Sequence, residues 1–169
     1  IVTNQPNFYL AVHLGRDFNA THLFGIALYG QRMLSVVTII NTVMIIILMA
    51  LFTRLTAKWA LGVAFAVGVG LQTVGFAMSF EVDTFWPLAL AAVILTIGEM
   101  ISVPSSQTLR AALMDEQKIG AYSGGWAAVS PLASTLSGVS VSISSLLGNS
   151  GMAALTLVLG AGGIALVAQ

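Results

Sequence analysis

After Lys118 the chain runs 51 residues to its last residue, Gln169, without one charged side chain. The same habit holds upstream: 21 residues separate Arg32 from Arg54, 22 separate Lys58 from Glu81, and from Thr84 to Leu109 only Glu99 interrupts. Soluble domains carry about 25% charged residues, whereas this 169-residue chain carries 7%, is 57% hydrophobic and has a mean hydropathy of +0.97. A globule this small cannot hide so much apolar surface from water, so the lipid bilayer is the expected solvent.

A helical crossing needs about 20 apolar residues, and each of these runs supplies that length. They are too long for barrel strands, and inside hydrocarbon a helix satisfies its own backbone. The expected spans are roughly 28–53, 59–80, 84–108, 119–144 and 150–169, with residues 1–12 as the end of a further one. Gly148-Asn149-Ser150-Gly151 is the turn signal that divides the last uncharged stretch. The chain begins at Ile1 and ends within an apolar run, and we read it as a piece of a longer one. Arg54, Lys58, Arg110 and Lys118 fall in loops on one side, which the positive-inside rule assigns to the cytoplasm. Residues 13–27, 81–83 and 145–150 then face outward, and His13 and His22 are expected to be loop residues there. With six basic and six acidic residues the net charge is zero, which leaves no footprint for nucleic acid. The absence of cysteine removes disulfides and thiolate chemistry. No metal site, cofactor or enzymatic constellation is expected.

Glu99 stands out. It lies about fifteen residues into its span, where a charge costs about 2.5–3.5 kcal/mol on insertion scales. A helix does not need an acid there to fold. An acid in that place suits a proton acceptor or the site of a cationic ligand, and a structural ion pair or interhelical hydrogen bond is the plainer use. Pro104, five residues on, removes a backbone hydrogen bond and is expected to kink the helix beside the acid. Arg32 follows Tyr29-Gly30-Gln31 at the outer end of its span. It is either an interfacial anchor or, with Tyr29 and Gln31, part of a gate or substrate contact. Rise arithmetic puts Glu99 too deep for Arg32 to reach. Asn41 and Gln72 are lone polar residues expected to make helix–helix hydrogen bonds. Ser130, Ser134 and Ser137 share one helix face beside Pro131, as close packing or a sliding surface would require.

The stretch Gly98-Glu99-Met100-Ile101-Ser102-Val103-Pro104-Ser105-Ser106-Gln107, continuing to Lys118-Ile119-Gly120-Ala121-Tyr122-Ser123-Gly124, resembles the tenth helix and following loop of drug/proton antiporters of the major facilitator superfamily. The lactococcal multidrug transporter and its Gram-positive relatives are the members it most resembles. Tyr29-Gly30-Gln31-Arg32-Met33-Leu34 resembles the start of their eighth helix, and Ala11-Val12-His13-Leu14 the end of their seventh. The resemblance implies an all-α membrane protein, the C-terminal six-helix half of a twelve-helix major facilitator fold, with about five complete spans plus the end of one. It implies a multi-pass protein of the bacterial plasma membrane, monomeric when full-length, that needs the missing N-terminal six helices as its partner. It also implies that small lipophilic cations are exported against protons, the proton being the coupling ion and Glu99 the residue that binds both. The family's second acid, at the outer end of helix seven, corresponds here to Asn7. Two other readings stand beside this one: a major facilitator transporter of a sugar or other metabolite, and a membrane scaffold that transports nothing.

Overall fold

The computed structural model describes residues 9–19, 21–23, 26–114 and 119–167. Helix α1 (Tyr9–Asp17) leads through strands β1 (Thr21–Leu23) and β2 (Ile26–Leu28) to helix α2 (Gly30–Thr56). Helices α3 (Leu61–Glu81), α4 (Phe85–Leu113) and α5 (Ile119–Val167) follow. Four of these helices are long and apolar enough to cross a membrane, and the chain is a multi-pass membrane protein. The fourth crossing segment, Tyr122–Leu166, is 45 residues long, which at 1.5 Å per residue is about twice what a bilayer core accommodates.

Gly148 resolves that excess. Its φ of 65° and ψ of −174° lie in a region that side-chain-bearing residues avoid, and α5 breaks there into two limbs. The second limb returns along α3, where Gly160 stacks on Thr73. The break is one residue wide, narrower than the four-residue turn signal around it.

The other apolar stretches become helices because nothing within them stops one. Pro87 falls in the first turn of α4, where a missing N–H costs nothing. Pro104 lies deeper, and α4 remains helical through it to Leu113. Hydroxyls in the spans turn back onto their own helix: Thr73 donates to the Val69 carbonyl at 2.7 Å, Ser79 to Gly75 at 2.8 Å and Ser105 to Ile101 at 2.8 Å. In hydrocarbon this is the nearest available acceptor. On the first limb of α5 the buried serines are Ser137, Ser140 and Ser144, whereas Ser130 is exposed. The inward face is therefore rotated from the one the sequence spacing indicates.

Two corrections concern the segment before α2. A short antiparallel hairpin pairs Thr21 with Leu28, His22 with Ala27 and Leu23 with Ile26, where an irregular loop is expected. His13 is not a loop residue: it lies within α1 and is only 1% exposed. Residues 1–8, and Asn7 among them, lie outside the described residues.

The core gathers where α1, α3 and α4 meet the second limb of α5. Phe76, Phe80, Leu10, Leu14, Leu88 and Met152 are fully buried there. Tyr9 meets Phe80 edge to face with ring centres 4.9 Å apart. The closest helix pair is α3 with α4. A Cβ on Gly75 would stand 2.6 Å from the backbone nitrogen of Leu95, and one on Gly68 would strike the backbone of Ser102. From the other side, a Cβ on Gly98 would collide with the Gln72 backbone and the Gly68 carbonyl. Small residues on both helices bring the two backbones together, as van der Waals association in lipid demands. Gly75→Val is expected to destabilise the fold by about 1–3 kcal/mol through overpacking. Gly62→Ala, at a position with open space, should be neutral. Thermal unfolding in detergent, followed by fluorescence, compares the two.

Candidate functional site

The α3–α4 contact determines which way Glu99 points. Leu95, Gly98 and Ser102 lie along the face of α4 that meets α3. Successive helical residues are rotated by about 100°, so Glu99 leaves that contact and turns toward α2. There the Asn41 amide donates to Glu99 Oε2 at 2.7 Å and to Thr96 Oγ1 at 3.2 Å. Asn41 is eleven residues beyond the start of α2, and Glu99 fourteen beyond the start of α4. With both helices running in the same direction, each side chain sits about 16–21 Å from its helix start, near mid-membrane.

The hydrogen bonds define the chemistry of this cluster. The hydroxyl of Thr96, fully buried, donates to the Ala92 carbonyl at 2.7 Å. Its oxygen is therefore left to accept, and the Asn41 group beside it must be the NH₂ end. Both amide hydrogens are committed, one to Thr96 and one to the Glu99 carboxylate. Among the described residues, this carboxylate's partner is an uncharged amide. An amide orients a carboxylate without neutralising it. Glu99 is only half-buried, so its carboxyl is oriented by the amide without being closed off.

An open apolar groove of about 570 Å³ runs along the same helix pair. Ile39, Ile40, Val43 and Met44 line it from α2, and Trp86, Ala89, Leu90 and Val93 from α4. Ile40 and Met44 flank Asn41 in α2, while Val93 stands one turn before Thr96 in α4. Asn41, Thr96 and Glu99 do not line the groove, so it shares the two helices with the acid but not its site.

The remaining candidates are dispersed. Arg32 donates to the Ala27 carbonyl at 2.9 Å and covers the Tyr29 ring at 4.7 Å. It is exposed, as are Tyr29 and Gln31, and the three sit at the hairpin end of α2, nine or more residues from Asn41. Pro104 lies on α4 beyond Glu99, toward the opposite end. Asn41 makes the helix–helix hydrogen bond expected of it, and Thr96 is the member of this cluster that sequence reasoning missed. Asn41 was readable as a polar residue within a span, but its distance from Glu99 of 58 positions hid the pairing.

No family model matches the chain, and no curated protein matches it. Solved structures do resemble it. One is a POT family transporter in complex with 5-aminolevulinic acid, with a TM-score of 0.74 and 18% identity over 98% of this chain and 36% of that one. Another is a POT family transporter in complex with a thioalcohol-conjugated peptide, with a TM-score of 0.74 and 18% identity over 98% of this chain and 36% of that one. The chain thus spans about a third of the length of the transporters it matches. At that identity the likeness is one of fold alone: the chain folds like a part of those two structures.

Proposed function

We propose that the chain is the C-terminal half of a proton-coupled transporter that exports lipophilic cations across the bacterial plasma membrane. The observation that carries this reading is the pairing of an apolar groove with one oriented carboxylate on the same two helices. A lipophilic cation needs apolar surface for its body and one negative charge for its head. A proton competes for that charge. Protonated Glu99 holds a cation poorly, and ionised Glu99 holds one well, so release of drug is linked to uptake of a proton. The missing N-terminal six helices supply the opposite wall of the path. Asn41 is a positioning residue in this scheme, orienting the carboxylate.

A second reading follows from the solved neighbours, which hold 5-aminolevulinic acid and a peptide conjugate. A substrate of that kind carries several hydrogen-bonding groups, each of which needs a partner when desolvated. The groove on α2 and α4 is walled by aliphatic side chains and one tryptophan, which favours the lipophilic cation over the peptide.

Glu99→Gln in the full-length protein is expected to abolish export driven by a pH gradient while membrane insertion continues. Dye efflux from inverted vesicles, normalised to protein amount, measures it, and wild-type export by a well-inserted variant would refute the proposal. Filling the groove tests the other half of the reading. Ala89→Phe should weaken binding of a fluorescent lipophilic cation by roughly tenfold, about 1.4 kcal/mol. Ile47→Phe, on an exposed part of α2 outside the groove, should leave it unchanged. Fluorescence titration in detergent reads both, and competition by a dipeptide rather than by the dye's analogues would favour the second reading.

A further inference from the structure

The other end of the bundle holds a second polar cluster, remote from Glu99. His13 is completely enclosed, with its ring between two carboxylates. Nδ1 lies 3.1 Å from Asp17 Oδ2, one turn along α1, and Nε2 lies 3.4 Å from Asp83 Oδ1, in the turn between α3 and α4. The Nε2 and Asp83 Oδ1 atoms are buried and have no hydrogen-bond partner in better geometry. A neutral imidazole has one N–H and one lone pair. Whichever tautomer forms, its lone pair faces a carboxylate oxygen. Only the doubly protonated ring offers a donor to each acid.

The neighbouring groups come from several helices. On α1, Tyr9 stacks on His13 with centres 6.2 Å apart, and Arg16 and Asp17 follow on the same helix. Glu81 ends α3, with Asp83 just beyond it. The first limb of α5 contributes Ser144 and the bend contributes Asn149, both uncharged. From α2, the backbone of Gly30 approaches Leu14. Of the charged groups, Asp17 and Asp83 lie against the ring and Arg16 lines the pocket beside it. A pocket of about 120 Å³, lined by Tyr9, His13, Arg16, Asp17 and Asn149 among others, touches the ring. It has room for about four waters at roughly 30 Å³ each, which gives the proton a route in and out.

The same cluster joins three parts of the fold. The backbone N–H of Asn19 donates to the Asp83 carbonyl at 3.0 Å, and Tyr9 Oη donates to Asn149 Oδ1 at 2.8 Å beside the Gly148 break. We propose that His13 is a proton-operated clasp. Charged, it ties α1 to the α3–α4 turn through Asp17 and Asp83; neutral, it releases Asp83 and loosens this end of the bundle. The clasp does not depend on what the Glu99 site carries.

Hydrogen exchange of the full-length protein in nanodiscs, corrected for intrinsic rates, tests this at about pH 5.5 and pH 8.5. Amides of residues 13–19 and 82–85 should exchange roughly tenfold faster at the higher pH, the scale of one lost charge-assisted hydrogen bond. His13→Gln and Asp83→Asn should each abolish the difference, whereas Glu99→Gln should keep it. Asp83 is 40% exposed, so its variant carries the test if the histidine variant fails to fold. No pH difference in the wild type, or one that persists in Asp83→Asn, would overturn the clasp.

Discussion

The contact between α3 and α4 governs the rest of the molecule. Lipid gives helices no hydrophobic reason to associate, so closeness must come from shape. Gly68 and Gly75 on α3, with Gly98 on α4, remove the side chains that would hold the axes apart. Once the two backbones lie against each other, the rotation of α4 is no longer free. Gly98 must face α3, and its neighbour Glu99 must then face away from it. The direction of the functional carboxylate is therefore a consequence of a packing contact made by residues with no side chain.

That consequence explains why a single acid can sit at mid-membrane without a cation to neutralise it. Its neighbour on α2 is Asn41, held by Thr96, which is itself held by the Ala92 carbonyl. Each link is a neutral donor or acceptor, and the chain of bonds ends on the backbone of α4. An arginine in place of Asn41 would have given a tighter pair and removed the charge from further use. An amide costs less to desolvate and leaves the carboxylate its chemistry. A groove elsewhere on the same helix pair is apolar, walled by Ile40, Met44, Val93 and Trp86 among others.

Much of this was legible in the sequence, for identifiable reasons. The spacing of Arg32, Arg54, Lys58 and Glu81 marks the helix ends because charges are excluded from hydrocarbon. Glu99 is conspicuous because it breaks that exclusion. Gly148 was readable because an uncharged stretch of 51 residues must reverse somewhere. What could not be read is what depends on rotation and on distant pairing. Asn41 and Glu99 are 58 positions apart, and nothing local in either span names the other. His13 follows an apolar run and precedes Arg16 and Asp17, so it reads as the start of a loop. Burial came from Asp83, 70 positions away, closing over a helix that continues one turn further than its hydrophobicity suggests.

The two polar clusters differ in a way that matters for how such a half-bundle works. At Glu99 the partner is a neutral amide. At His13 the ring lies between two carboxylates, Asp17 on α1 and Asp83 in the turn that begins α4. Both clusters therefore act on α4, one near its middle and one at its start. A helix pinned rigidly against α3 by glycines transmits a shift at one of these points along its length, because its axis cannot bend away from the contact. The two sites thus share that helix and keep separate partners, Asn41 at one and Asp17 and Asp83 at the other.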